Sequence, residues 1–342
     1  VTIQHAIAAT VAGRSLTELE MVGIVEQMMD GRVTGAQIGG LLVALRMKGE
    51  SVDELCGAAR ALRRHAVGVR APDGIVMDTC GTGGDARGTF NISTTAALIV
   101  AGVGVRVAKH GNRAMSGTTG AADVFEALGV TLDASPEALA GCLADVGIAF
   151  LFAPRLHPAM ARVAGPRREL GVRTIFNLVG PLANPAGVRH QVVGVYGREW
   201  VVPLAHALRR LGAARALVVH GRDGLDELTL TTETDVAELD EGQVREYTLM
   251  PEDFGFTRCP LGALQVAGVA EAAAAVRGVL AGERGPRREV AVANAAAALY
   301  VAGRCESPLD GVGLAAEALD SGRAEAVLGR LVEWSTRHRR DA

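Results

Sequence analysis

Three stretches of this chain combine glycines, hydroxyls and charges in ways that could do chemistry. The first reads Asp78-Thr79-Cys80-Gly81-Thr82-Gly83-Gly84-Asp85-Ala86-Arg87-Gly88-Thr89-Phe90-Asn91-Ile92-Ser93-Thr94. Its glycines let backbone amides approach an anion closely. Ser93 and Thr94 stand where a helix should begin, with its free N–H groups and the positive end of its dipole. That combination suits phosphate, and it equally suits a tight strand-to-helix turn closed by an N-cap. A Walker loop is excluded, because no G-x-x-x-x-G-K-[ST] is present. Gly81-x-Gly83-x-x-Ala86 matches the loose dinucleotide fingerprint. However, Arg87-Gly88-Thr89 interrupts the helix that should follow at once, and the acidic ribose partner expected about 20 residues later is missing.

The second stretch, Lys109-His110-Gly111-Asn112-Arg113-Ala114-Met115-Ser116-Gly117-Thr118-Thr119-Gly120, follows a buried run and offers two cations, hydroxyls and further glycine amides. In a parallel sheet it would face the same pocket as the first. The third is His220-Gly221-Arg222-Asp223-Gly224-Leu225-Asp226-Glu227. Adjacent carboxylates at a strand end repel a phosphate unless a divalent cation such as Mg2+ stands between them, the alternative being a solvated acidic turn. The five cysteines are odd in number and far apart, without C-x-x-C, so neither a zinc site nor a disulfide framework is expected. No G-x-S-x-G nucleophile elbow occurs.

The elements that must position these stretches follow from periodicity. Short β-branched runs at Ile75 to Met77, Val103 to Val107, Ile148 to Phe152, Val192 to Val195 and Ala216 to Val219 alternate with helical segments, which predicts βαβ units around a mostly parallel sheet. Ligands of such sheets sit beyond the carboxyl ends of the strands, where all three stretches lie. Ser135-Pro136-Glu137 reads as a helix start, and the helical segment Asp123 to Leu128 stops at Gly129. Asp235 to Leu239 and Val244 to Leu249 read as a hairpin. Val290 to Ala302 and Leu314 to Trp334 read as helices. The first seventy residues read as helices only, opened by capping boxes at Ser15-x-x-Glu18, Thr34-x-x-Gln37 and Ser51-x-x-Glu54. Three short helices enclose little core, so part of their apolar surface is expected to pack on later helices or on a second subunit.

Composition bounds the rest. At a typical ~150 residues per domain, 342 residues imply about two domains. With 49% hydrophobic but only 4% aromatic residues, the core must be aliphatic. A formal charge of −3 provides no footprint for nucleic acid. The longest apolar runs are too short to span a membrane, and no leader pattern is seen, so a soluble, unexported protein of the reducing cytoplasm is expected.

Gly81-Thr-Gly-Gly-Asp85, Asn91-Ile-Ser-Thr94, Lys109-His-Gly-Asn-Arg113 and Asp226-Glu227, in this order and at these distances, resemble the anthranilate phosphoribosyltransferase family. The resemblance extends from Leu45-Arg-Met-Lys48-Gly49-Glu50 to Asn294-Ala-Ala-Ala-Ala-Leu-Tyr300-Val-Ala-Gly303. It implies an α/β fold with a small N-terminal helical domain, residues 1–70 joined by helices near 157–184, and a larger domain, residues 71–342, with a mostly parallel central sheet. It also implies a homodimer formed through the helical domain. The implied reaction joins anthranilate to phosphoribosyl pyrophosphate, giving N-(5-phosphoribosyl)anthranilate and pyrophosphate in tryptophan biosynthesis, with Mg2+, two ions, as cofactor. Carried over from the family, the donor would meet Gly81, Gly84, Asp85, Thr89, Asn91, Ile92, Ser93, Thr94, Lys109, His110, Gly111, Asn112, Arg113, Ala114, Met115, Ser116, Gly117 and Ala121. Ser93, Asp226 and Glu227 would hold metal. Anthranilate would meet Gly81, Asn112 and Arg167, with His110 and His157 along its path.

A benzoate carboxylate suits a guanidinium fork, but only the resemblance chooses Arg167 over its neighbour Arg168. The chain departs from the family at Gly117 and Ala121, where serines are common, at Met160, where an aromatic residue can occur, and at Pro166. Two other readings remain at this point. One is a nucleoside phosphorylase of related fold, which the Arg167 neighbourhood and the Asp226-Glu227 pair oppose. The other is a non-catalytic nucleic-acid-binding relative, which the acidic charge opposes.

Overall fold

The computed structural model describes residues 1–114 and 119–339, so the expected donor contacts at Met115, Ser116 and Gly117 lie outside the described residues. The chain opens with helices α1 (Ile3–Val11), α2 (Glu18–Met29), α3 (Gly35–Lys48) and α4 (Val52–His65). The first of these is absent from the sequence reading because its buried face is thin, carrying Ile3, Ala6 and Thr10. The capping boxes at Thr34/Gln37 and Ser51/Glu54 form as expected.

The box expected at Ser15/Glu18 does not form; the cap is Thr17 with Glu20. This register puts Leu16 just before the cap and Met21 four residues into the helix, both buried in one apolar cluster, which is the placement of a hydrophobic staple. Ser15 Oγ instead accepts from Lys48 Nζ at 3.2 Å, and Glu18 pairs with Arg60 and Arg210.

Seven strands follow: β1 (Val76–Gly81), β2 (Arg106–Gly111), β3 (Ile148–Phe152), β4 (His190–Gly194), β5 (Arg215–Gly221), β6 (Thr234–Asp240) and β7 (Gln243–Leu249). Their order is β3-β2-β1-β4-β5-β6-β7, with β1 to β5 parallel and the β5–β6 and β6–β7 pairings antiparallel. The predicted hairpin is β6–β7, closed by Glu241 and Gly242 at φ +48° and +76°, the backbone that a two-residue turn between twisted strands requires. Strand order reverses between β1 and β4, which opens a crevice at their carboxyl ends. β1 and β2 run further than their β-branched cores indicate, so Lys109 and His110 are strand residues with buried side chains.

One face of the sheet packs against α5 (Ile92–Gly102) and the helices Pro286–Val301 and Arg323–Arg337. The other face shares an apolar cluster with the helix Val201–Arg210, with α1 to α4, with Val163 and with buried residues of 175–183. The helix expected from Leu314 to Trp334 is two, Pro308–Asp320 and Arg323–Arg337, broken at Gly322, whose φ of +73° ends the first. Among the described residues no helix is long and apolar enough to cross a membrane.

Candidate active site

The crevice between β1 and β4 is capped by the loop after β5. Gly81 and Gly194 pair across the two strands, and both glycines are there to admit that loop. A Cβ on Gly81 would fall 2.4 Å from Asp226 Oδ2, and one on Gly194 would fall 1.5 Å from the Asp226 carbonyl oxygen. Seated there, Asp226 Oδ2 accepts from Gly83 N at 2.8 Å, and Glu227 Oε1 accepts from Ser93 N at 3.0 Å in the first turn of α5. The two carboxylates therefore rest on glycine-loop and helix-terminal amides that suit a phosphate.

The electrostatics of this cluster are set by burial. Asp226 and Glu227 keep some surface open to the cavity, yet protein surrounds them. Burial, and for Asp226 the neighbouring Asp85, push its carboxyl well up; burial and then Asp226 do the same to Glu227. Burial also raises Asp85. Lys109 Nζ lies beneath them, donating to the Thr79 carbonyl and, at 3.3 Å, to Ser93 Oγ, and burial lowers its pKa. An isolated acidic turn in water would have none of these features. The donor set consists of carboxylate and hydroxyl oxygens with surplus negative charge, which fits Mg2+. Among the described residues no three metal-ligating side chains are gathered closely enough to hold an ion alone. Mg2+ needs only one or two carboxylates, completed by water and substrate phosphate oxygens.

A cavity of about 260 Å³ opens above this cluster and is bordered by most of the expected donor-binding residues, from Gly81 to Ser93, from Lys109 to Ala114, and Ala121. Four of the expected residues, Thr94, Ile92, Arg113 and Ala114, sit differently from the rest. Thr94 does not border it: its hydroxyl is buried without a partner, because successive residues of α5 point about 100° apart and Ser93 takes the open side. Ile92 reaches the cavity wall, but its side chain is in the core, 1% exposed. The Arg113 guanidinium turns away to Asp123, at 2.9 Å, and Glu126, and the Ala114 amide also donates to Asp123, at 3.1 Å, so neither is a free phosphate donor. Asn91 Oδ1, by contrast, is a buried acceptor without a partner. The sequence reading missed the clamp on this loop: Phe90 N donates to Leu264 O at 2.9 Å, and Val266 N donates to Gly88 O at 2.8 Å.

A second cavity, about 430 Å³ and mostly apolar, adjoins the first and shares Gly81, His110, Asn112 and Asn177 with it. Gly81, Asn112, Arg167, His110 and His157 all border it. Phe176 and Asn177 open the stretch Phe176-Asn177-Leu-Val-Gly180-Pro181 that follows Arg167 and had no role in the sequence reading; Asn177 Oδ1 accepts from Thr174 N at 3.0 Å. The helix Ala161–Leu170 separates the two arginines. Arg167 is half-buried with its guanidinium 5.5 Å from the Phe176 ring and, among the described residues, meets no carboxylate, whereas Arg168 is exposed. Pro166 lies within this helix, directed at α3, where a Cβ on Gly35 would come 3.6 Å from Pro166 Cγ. The rings of His110 and His157 lie 5.1 Å apart; burial holds them neutral, pushed down to about 3 and about 4, and each leaves Nε2 without a partner. Arg173, also unforeseen, donates to the Gly84 carbonyl and stacks 4.2 Å from the Tyr196 ring centre.

The chain is similar to known proteins over nearly its whole length. Two family models match, one described as the glycosyl transferase family helical bundle domain, over residues 4–66, the other as its a/b domain, over residues 73–325. The chain is 51% identical over 344 residues to the anthranilate phosphoribosyltransferase of Geobacter sulfurreducens, covering 96% of this chain and 98% of that one. Among solved structures it is similar to anthranilate phosphoribosyltransferase from Thermus thermophilus, with a TM-score of 0.92 and 46% identity over 97% of this chain and 99% of that one. It is also similar to the Saccharomyces cerevisiae enzyme in complex with PRPP and Mg, with a TM-score of 0.89 and 25% identity over 98% of both chains.

Proposed function

The chain belongs to the anthranilate phosphoribosyltransferase family, and on that premise we propose which of its residues carry each part of the reaction. It is a Mg2+-dependent glycosyltransferase of tryptophan biosynthesis. It moves the 5-phosphoribosyl group from phosphoribosyl pyrophosphate to the amine of anthranilate, releasing pyrophosphate.

The polar cavity takes the donor. The glycine-loop amides outside the Gly83 N–Asp226 bond meet phosphate oxygens, and Asn91 borders the ribosyl group. Asp226 and Glu227, with Ser93 Oγ, would hold Mg2+ as two ions, which would supply the positive charge that departing pyrophosphate calls for. Lys109 is a positioning cation beneath Ser93, its ammonium shared between Ser93 and the Thr79 carbonyl. The apolar cavity takes anthranilate. Arg167, half-buried and meeting no carboxylate among the described residues, forks the substrate's carboxylate, while Phe176 and Met160 flank the ring. Neutral His110 and His157 line its path and set no competing charge against Arg167.

The observation that carries this reading is the shared wall. Gly81, His110 and Asn112 border both cavities, so an amine anchored by Arg167 points toward the ribose C1 of a donor held in the first. No protein nucleophile is needed; the neighbouring Cys80 thiol is kept protonated by burial.

Residues 1–70, joined by helices near 157–184, are proposed as the helical domain and 71–342 as the donor-binding domain. A homodimer through the helical domain is proposed from the family resemblance alone. The composition supports a cytoplasmic enzyme without a nucleic-acid partner. The test of the site is Asp226→Asn with Glu227→Gln, measured across a Mg2+ titration at saturating substrates. Turnover should fall at least a hundred-fold with native circular dichroism. Near wild-type turnover would show that the pair holds no essential metal.

A further inference from the structure

The helix Pro286–Val301 passes beside the loop that carries Asp226 and Glu227. Its buried surface is almost entirely alanine and valine, from Val290 to Ala298, and within it Asn294 is only 3% exposed. An amide in such surroundings costs stability unless its polar atoms are bonded. Asn294 satisfies them on one neighbour in particular. Oδ1 accepts from Leu228 N at 3.1 Å, and Nδ2 donates to Leu228 O at 2.9 Å and to Val290 O, one turn back on its own helix, at 2.9 Å. Leu228 directly follows Glu227, and its side chain is buried in the same core.

The loop also has internal ties, with Asp223 accepting from Thr229 Oγ1 at 2.6 Å and from Leu225 N at 3.1 Å. Those bonds shape the loop, and Asp226 and Glu227 reach Gly83 N and Ser93 N through the same carboxylates that a metal would use. The two-point amide grip instead holds the loop's backbone, from another element.

We propose that Asn294 is a positioning residue for the metal-binding carboxylates, acting through the Leu228 backbone to fix where Asp226 and Glu227 present their oxygens to Mg2+. The inference rests on the assignment of Asp226 and Glu227 as metal ligands. Loss of the grip frees two buried backbone groups and lets the loop shift by tenths of an ångström, which an ion demanding near-ideal octahedral geometry registers.

The test compares Asn294→Leu, close in volume and at home in an apolar helix face, with Val290→Ala, which loosens the same packing but keeps the grip. Asn294→Leu should raise the Mg2+ concentration for half-maximal activity ten-fold or more, leave the anthranilate KM within two-fold, and regain much of its rate at high Mg2+. In the metal-free protein, amide hydrogen exchange of residues 225–229 should quicken at least ten-fold. Val290→Ala should change neither. Asn294→Ala, run in parallel, should follow Asn294→Leu.

Unchanged Mg2+ dependence and exchange in folded Asn294 variants would overturn the proposal, as would equal changes in Val290→Ala. Failure of both Asn294 variants to fold would make Asn294 a folding residue and overturn it too. The Asp226→Asn/Glu227→Gln protein is measured alongside. If it keeps wild-type Mg2+ dependence, the metal assignment has failed; if it loses activity while Asn294→Leu behaves as wild type, only the Asn294 grip has.

Discussion

Arg167 lies over the Phe176 ring in the apolar cavity and, among the described residues, meets no carboxylate, while Arg168, one residue on, faces water. Arg167→Ala should raise the anthranilate KM by ten-fold or more, since one charge-assisted pair is worth about 1.5–3 kcal/mol, and Arg168→Ala should leave it within two-fold. Steady-state kinetics with each substrate varied will check both, and the donor KM should move little in either. The sequence showed two adjacent cations on a helix; which one is buried depends on what the helix packs against, and that is not written locally. The histidines illustrate the same point, because only burial distinguishes His110 and His157 from surface imidazoles. Their folded values of about 3 and about 4 lie below the ordinary 6.5. The unfolded chain therefore binds more protons in this range, so stability is fully present above about pH 6.5 and is lost as pH falls toward 4. Each should cost about 1–2 kcal/mol by pH 5. Thermal melts from pH 7.5 to 5 should show a shallower fall in Tm for His157→Gln than for wild type; parallel slopes would mean that His157 is not held neutral.

At the scale of elements, the site depends on how closely the loop after β5 descends onto β1 and β4. Gly194→Ala drives a methyl into the Asp226 carbonyl, so it should abolish nearly all turnover and cost about 1–3 kcal/mol or more in urea melts. Gly329→Ala is the contrast. It sits in the helix Arg323–Arg337 with nothing within 4 Å, so it should stabilise by about 0.5–1 kcal/mol and leave activity unchanged. The cores of the parallel strands and the β6–β7 hairpin were legible because β-branched runs and an Asp-Glu-Gly turn are local signals. The strand ends were not, since Lys109, His110 and Gly111 read as loop residues until the register with Phe150, Leu151 and Phe152 of β3 is known. Helix α1 escaped notice because Ala6 and Thr10 carry its buried face, and the cap of α2 moved by two residues because both Ser15/Glu18 and Thr17/Glu20 satisfy one spacing while only the latter also staples Leu16.

Across the whole molecule, function comes from bringing together segments far apart in the chain. The ends of β1 and β2 and the loops that follow them line one cavity, residues 153–183 complete the other, and Asp226 and Glu227 border the first. The three polar stretches were visible as separate motifs, and their joint order identified the family. Their common wall at Gly81, His110 and Asn112 followed only from the family resemblance, and the grip of Asn294 on Leu228 was not visible, because both depend on the path of the backbone through space. The central claim is that the two cavities hold donor and acceptor at once so that the amine reaches C1 with Mg2+ in place. The most direct measurement follows anthranilate fluorescence in the presence of the purified protein. The signal should decay only when phosphoribosyl pyrophosphate and Mg2+ are both present, with one pyrophosphate released per anthranilate consumed, and should stop when EDTA is added. A steady signal with both present, or a decay indifferent to the donor or to Mg2+, would contradict the account.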